Sequence, residues 1–350
     1  MKTNNTDIPF GTLLSYQRPY IYRTSSITST CIKMAVLLFI QLVVLLYTGS
    51  IAAVNVILFS FMGALLAGGV QFYVSRVPVY TLFPSLLAGL VAGFLFPENY
   101  PKLSALILVF FIILIANFVF SGFVNNWVNP VILIIVIAWF TGKKYFPSIL
   151  IDLDSLVSRN PSLSFVQDSK LSFEFFDSPI TDFLNKTVFN WFSVSLPNGY
   201  VSFLWDNHSI VPAFRFNFLN IVSSIVLFSD DSKDTIVPSL FLFVYIILVR
   251  LFAPFLAGGS LNTGDMILAL FSSGTLFFAV FIIGWFGTLP MTFIGRVLLG
   301  VFAGIAAFLV TGAGTSFTGM AFTVLLCNLL NLFIRMIEDK KNMAKLVSRV

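Results

Sequence analysis

Histidine and cysteine are nearly absent from this chain. In 350 residues there is one histidine, His208, and there are two cysteines, Cys31 and Cys327, near opposite ends. A structural zinc or a cysteine-ligated iron–sulfur cluster needs about four ligands, and a bis-histidine haem needs a second histidine. The chain alone builds none of these, so an electron carrier would be held in another way or by a partner. Charge is scarce as well. Asp, Glu, Lys and Arg make up 10% of the residues, against about 25% in soluble domains. A soluble enzyme hides one or two apolar runs at most, so a soluble fold is excluded. No His/Asp/Ser constellation is present, and no catalytic or metal-ligating residue is assigned.

What fills the chain instead is apolar. It is 58% hydrophobic and carries 42 phenylalanines. A helix needs roughly 20 apolar residues to cross the bilayer core. The runs predict an all-α, polytopic membrane protein of about ten spans, near 32–49, 52–74, 80–97, 103–122, 127–147, 213–229, 236–257, 266–286, 291–311 and 317–337. About thirty mostly polar residues precede the first run, which is not a signal-peptide pattern. The positive charges collect at the two ends (Lys2, Arg18, Arg23 and Lys33; Arg335, Lys340, Lys341, Lys345 and Arg349). An even number of spans puts both termini on one side, and these basic flanks make it the cytoplasmic side. Arg76 and Arg296 fall in loops on that side, as does the acidic cluster 229–234. Basic flanks of this kind mark orientation in a bilayer, not a nucleic-acid surface.

The stretch Ile115–Ile135, IANFVFSGFVNNWVNPVILII, organises the rest. It starts as a membrane helix, breaks at Ser121-Gly122, carries Asn125, Asn126 and Asn129, and resumes at Pro130. At an offset of 190 it meets itself again: Ile115 with Ile305, Ala116 with Ala306, Phe118 with Phe308, Ser121 with Thr311, Gly122 with Gly312. Two copies of a five-span unit follow, and an odd number of spans makes the second copy inverted. The expected layout is a cytoplasmic arm (1–31), a first membrane repeat (32–147), an outer loop (148–212), a second repeat (213–337) and a cytoplasmic tail (338–350). The third and eighth spans, 84–101 and 272–290, are glycine-interrupted and are expected to be broken. Glycines also serve close helix packing, but a matched pair of interruptions points to a central site. Arg250, inside an apolar run, is a functional candidate or a side chain reaching to the nearby interface. In the outer loop, Leu171–Phe176 and Phe189–Leu196 suit the membrane interface.

The placed residues resemble one family. RPYIYRTSSITSTCIKM (18–34) is similar to the opening SPHI-R-S-x-x-SV-x-x-IM of the RnfD/NqrB family, membrane subunits of ion-pumping electron-transport complexes. Residues 84–140 resemble its S-x-x-x-TGLLLAL-x-LP and GGLGQNPFNPALVGRAF motifs. Asn129-Pro130 stands for the last Asn-Pro, and Asn125-Asn126 for the earlier amide. GTLFFAVFIIGWFGTLPMTFIGRVLLGVFAG (274–304) and SFTGMAFTVLLCNLLNLFI (316–334) resemble the family's second-half motifs, although Gly284–Gly287 stand where the family has the acid of A-T-D-P.

The resemblance implies a subunit of an Rnf- or sodium-pumping NADH:quinone reductase-type complex, working with other membrane and peripheral subunits. It implies flavin-mediated electron transfer coupled to Na⁺ or H⁺ movement. It also implies FMN joined through its phosphate to a threonine in the outer loop, within D-x-x-[ST]-G-A-T, and a possible place for riboflavin. The only segment with that outline is Asp177–Leu184. Ser178 matches the [ST] position and Thr181 the acceptor, while Pro179 and Ile180 replace Gly and Ala and Phe175 replaces the leading Asp. Asp177-Ser178-Pro179 also reads as a turn or helix cap. Thr311–Thr315, TGAGT, looks like the flavin motif but falls at the repeat break and is read as structural. Two other readings stand beside the redox one: a channel for a small neutral solute of urea-transporter architecture, and a non-redox scaffold subunit.

Overall fold

The computed structural model describes residues 26–76, 78–119, 126–147, 156–157, 162, 173–193, 195–229, 235–312, 316 and 318–347. Ser121-Gly122, Asn125, the basic N-terminal arm and the acidic residues 230–234 lie outside them. Among the described residues there are helices and turns and no strands. In chain order the main helices are α1 (Ile27–Tyr47), α2 (Ile51–Ser75), α3 (Leu82–Leu95), α4 (Lys102–Val119) and α5 (Pro130–Gly142). The outer loop holds α6 (Asp177–Thr187) and α7 (Tyr200–Trp205). Then come α8 (Pro212–Arg215), α9 (Asn217–Phe228), α10 (Ile236–Leu256), α11 (Met266–Ser272), α12 (Thr275–Phe277), α13 (Phe293–Thr311) and α14 (Gly319–Val347).

Six of the described helices, α1, α2, α4, α10, α13 and α14, are long and apolar enough to cross a bilayer. The segments 79–95 and 217–228 are apolar but shorter. With about 1.5 Å of rise per residue, the 13 residues of α5 and the 14 of α3 do not cross the hydrocarbon core. These short elements are held between long ones. That is where non-spanning backbone survives in a membrane protein, since lipid offers no hydrogen-bond partner.

The expected break in the third span is corrected. α3 runs unbroken through Gly89 and Gly93 and stops at Phe96, in extended backbone. Its glycines serve contact: a Cβ on Gly89 would fall 2.2 Å from the Ala64 Cβ of α2. Beyond Phe96 a cluster of rings (Phe96, Tyr100, Tyr145 and Phe146) joins the end of α3 to the end of α5, with centroids 4.8–5.8 Å apart.

The eighth span is interrupted. α11 ends at Ser272, Gly274 takes φ +69°, and α12 continues into a π-helical turn, Phe278–Ile282. Left-handed backbone is costly for residues with a Cβ, and a Cβ on Gly274 would also sit 2.1 Å from the Phe214 ring.

Each half is held by close packing of its long helices. α2 packs on α3 and α4, and α10 packs on α13. In the second pair, Gly304 faces Val244, where an added Cβ would lie 2.6 Å from the valine Cβ and 3.0 Å from the Phe241 carbonyl. Gly304→Val is therefore expected to destabilise the protein by about 1–3 kcal/mol through overpacking. Thermal unfolding in detergent measures it, and an unchanged midpoint would contradict this close approach. The first helices of the halves also meet, the Gln41 side chain of α1 donating to Asn220 Oδ1 of α9 at 2.8 Å, both buried.

Candidate functional site

Three places in the fold carry chemistry. The first lies where interrupted elements of the two halves meet. Asn129 caps α5: its backbone is extended, its side-chain oxygen accepts from the Val131 N–H at 2.9 Å, and Pro130 occupies the first helical position. Proline is suited there because its missing N–H would have no helical partner anyway. The Asn129 amide then donates to the Ile282 carbonyl at 3.4 Å, and the same carbonyl accepts from the Trp285 N–H at 3.1 Å. Asn129 is wholly buried. A helix N-terminus from the first half thus abuts the C-terminal end of the π turn from the second. Asn126, also buried, has no hydrogen-bond partner for either amide atom among the described residues.

Beside the eighth-span interruption, the Ser273 and Thr275 hydroxyls lie 2.6 Å apart with the Ala269 carbonyl at 2.8 and 3.1 Å, so one of them donates to the carbonyl and accepts from the other. The buried Tyr245 hydroxyl faces Ser273, Thr275 and Thr311, although it makes no hydrogen bond of good geometry. Thr311 and Gly312 end α13 in a left-handed turn, with the Thr311 hydroxyl on the Ala307 carbonyl. These two residues have the structural role expected of them, and 313–315 lie outside the described residues.

The second place is the outer loop. Asp177 opens α6 and is buried. Its Oδ1 accepts from the Gly199 N–H at 2.7 Å, and its Oδ2 accepts from both the N–H and the hydroxyl of Ser202 at 2.6 Å. The Thr181 hydroxyl donates to Oδ1 at 3.3 Å, and Thr181 has no exposed surface. Ser178, one turn earlier, is exposed. The segment is therefore helical, with Asp177 binding α6 to the start of α7. In and around it Phe173, Phe175, Phe183 and Trp191 are exposed, a concentration of rings suited to a membrane–water interface.

The third place is a cavity of about 340 Å³ between α1 and the second half. Met34, Pro238, Trp285, Phe286, Pro290 and Arg296 are among its lining residues. The Arg296 Nε donates to the Pro290 carbonyl at 3.1 Å. This is the region where Gly284–Gly287 stand in place of an acid, and among the described lining residues the side chains are mostly apolar, with Thr30 and the charged Arg296 as the polar ones.

Other sequence candidates resolve differently. Arg250 is half-buried and donates to the Gly264 carbonyl in the connection after α10. It reaches to the helix end, where Asp265 caps α11 and also accepts from the Ser162 N–H at 2.8 Å. A pair that sequence reasoning passed over is Asp206 with Arg215, both buried, joined at 2.9 and 2.5 Å. The only signal for it was a pair of opposite charges nine residues apart at the edge of an apolar run.

Helices of spanning length, with shorter helices meeting between them, are those of a multi-pass α-helical membrane protein. The model of the NQR2, RnfD, RnfE family matches the chain over residues 15–344. The chain belongs to that family, and membership makes it a membrane subunit of a multi-subunit Rnf- or Nqr-type ion-translocating electron-transport complex. No curated protein matches it in sequence.

Proposed function

We propose that the chain couples electron transfer in such a complex to Na⁺ or H⁺ movement, using the contact between its halves as part of the ion path. The family match over 15–344 carries this reading. The meeting of Asn129 with Ile282, beside the unpartnered amide of Asn126, supports the place. Half-helix ends present unmatched backbone groups, and these are what small ions use at mid-membrane. The two halves are read as inverted five-helix repeats in a bacterial inner membrane, with both termini cytoplasmic. The matching packing pairs of α2 with α4 and α10 with α13 support that symmetry.

Flavin is the carrier that the family resemblance implies. The cavity beside Trp285 is within the size range of small-molecule sites, roughly 300–1,000 Å³, and its lining suits a non-covalent flavin such as riboflavin. Met34, Trp285 and Phe286 would pack against the ring system and exclude water, and Arg296 would face its polar edge. When bound, the flavin supplies the redox chemistry, and the protein supplies position and potential. The uncharged amides at the centre also keep a second reading in view, a pore for a small neutral solute.

The test is purification of the tagged full chain from native membranes, followed by reconstitution. The reading predicts stoichiometric recovery with flavin- or cluster-bearing subunits and NADH-driven cation uptake. Asn129→Leu removes a cap worth about 1 kcal/mol and the contact to Ile282, and uptake should fall severalfold while the complex still assembles. A chain recovered alone, and passing a neutral solute, would sink the electron-transport reading in favour of the pore.

A further inference from the structure

From the geometry of α6 we infer that Thr181 carries no covalent flavin in this protein, and that the Asp177–Thr181–Ser202 cluster is a structural clasp. The inference rests on the family reading, because that family is what raises the expectation of FMN at this position.

Four observations carry it. Thr181 has no exposed surface, so an attaching enzyme has no access to its oxygen. Its hydroxyl already donates to Asp177 Oδ1. Asp177 is held in place by Gly199 and Ser202 at 2.6–2.7 Å, so the carboxylate does not swing aside. Pro179 and Ile180, where small residues would leave an extended strand open to a bound enzyme, are instead inside the helix Asp177–Thr187.

Chemistry adds a further reason. Attachment from a flavin dinucleotide forms a phosphorus–oxygen bond to Thr181 Oγ1, breaks the donor's pyrophosphate bond with a nucleoside monophosphate as leaving group, and releases the hydroxyl proton. Asp177 then loses a donor and faces a phosphodiester anion across the same short distance. Two like charges in a buried setting destabilise each other strongly. Thus the residue matching the acceptor position serves as a donor to the clasp. Ser202 extends the clasp further, since its hydroxyl accepts from the Glu174 N–H at 3.0 Å.

The experiment uses the full chain purified with its complex from cells that attach FMN. A co-expressed soluble reporter bearing D-x-x-S-G-A-T establishes that attachment is active. In-gel flavin fluorescence is read on the denatured chain, and mass spectrometry on the tryptic peptide 171–186. The inference predicts a labelled reporter, a dark chain and an unmodified peptide. Thr181→Val should leave the flavin content of the purified complex unchanged. An FMN mass on Thr181 or Ser178, or loss of one flavin per chain in Thr181→Val, would overturn it. Recovery of the partner subunits is scored separately. A chain that purifies alone with an unmodified peptide counts against the proposed function and leaves this inference standing.

Discussion

Asp206→Ala is expected to destabilise the folded protein by about 3–5 kcal/mol, the range for removing one partner of a buried ion pair. Asp206 is 1% exposed and Arg215 6%. The guanidinium makes a bidentate contact to the carboxylate, at 2.9 Å to Oδ1 and 2.5 Å to Oδ2. Its remaining arm donates to Ser50 Oγ, in the turn between α1 and α2. The carboxylate also accepts from the His208 N–H at 2.8 Å. Its loss leaves a buried cation with one neutral acceptor, above the Phe216 ring at 5.4 Å. The outer loop, the start of the second half and the α1–α2 turn are all tied through this one pair.

Double substitution separates the charge from the packing. Asp206→Ala with Arg215→Met removes both ions, and it should recover part of the single-mutant loss, because no unpaired charge remains buried. Thermal unfolding of the detergent-solubilised protein reads both. Equal midpoints for wild type and Asp206→Ala would show that the pair does not hold this junction.

Asp177→Ala is the second large effect. Three donors from Gly199 and Ser202 and the Thr181 hydroxyl lose their acceptor together in a buried place. Each orphaned buried donor costs about 1–3 kcal/mol, so the four together cost at least about 4 kcal/mol, reduced where water enters. The damage is local, since α6 and α7 lie outside the membrane spans. Limited proteolysis should cut between residues 173 and 205 much faster than in wild type, with the membrane part intact. Asp177→Asn keeps one oxygen acceptor and should fall between the two. Proteolysis at the wild-type rate in Asp177→Ala would mean that the clasp does not order this loop.

The particular elements show what was legible in advance. The long spans were readable because the bilayer demands about 20 apolar residues in a row, and α1, α2, α4, α10, α13 and α14 supply them. Asn129-Pro130 was readable as a helix start, since an asparagine cap followed by proline is a local signal. The interruption near 272–290 was also expected and is present. Its counterpart near 84–101 was not a break, because Gly89 and Gly93 answer to the neighbouring α2 and not to their own backbone. Sequence alone does not distinguish a glycine that bends a helix from one that lets another helix approach.

The outer loop was the least legible part. Asp177, Ser178 and Thr181 were noticed for a motif they only partly match. What Asp177 does depends on Gly199 and Ser202, 22 and 25 residues away in sequence. The same holds for Gln41 with Asn220 and for Asp206 with Ser50 through Arg215: each buried polar group found its partner across the fold.

By itself, then, the sequence determined the apolar surroundings this protein is built for, the six long helices that suit them and the family to which the chain belongs, while the expectation of ten spans exceeded the six helices of spanning length among the described residues. Those follow from composition, from apolar run length and from motifs, all local in the chain. Only the tertiary structure decided that the third span is short but unbroken, that Asn129 reaches the Ile282 carbonyl, and that the Thr181 hydroxyl is turned inward. The physical reason is the cost of burying a polar group without a partner. For Asn129, Asp177 and Thr181 that cost fixes where the side chain points, and the partner that satisfies it is set by packing between segments apart in the chain.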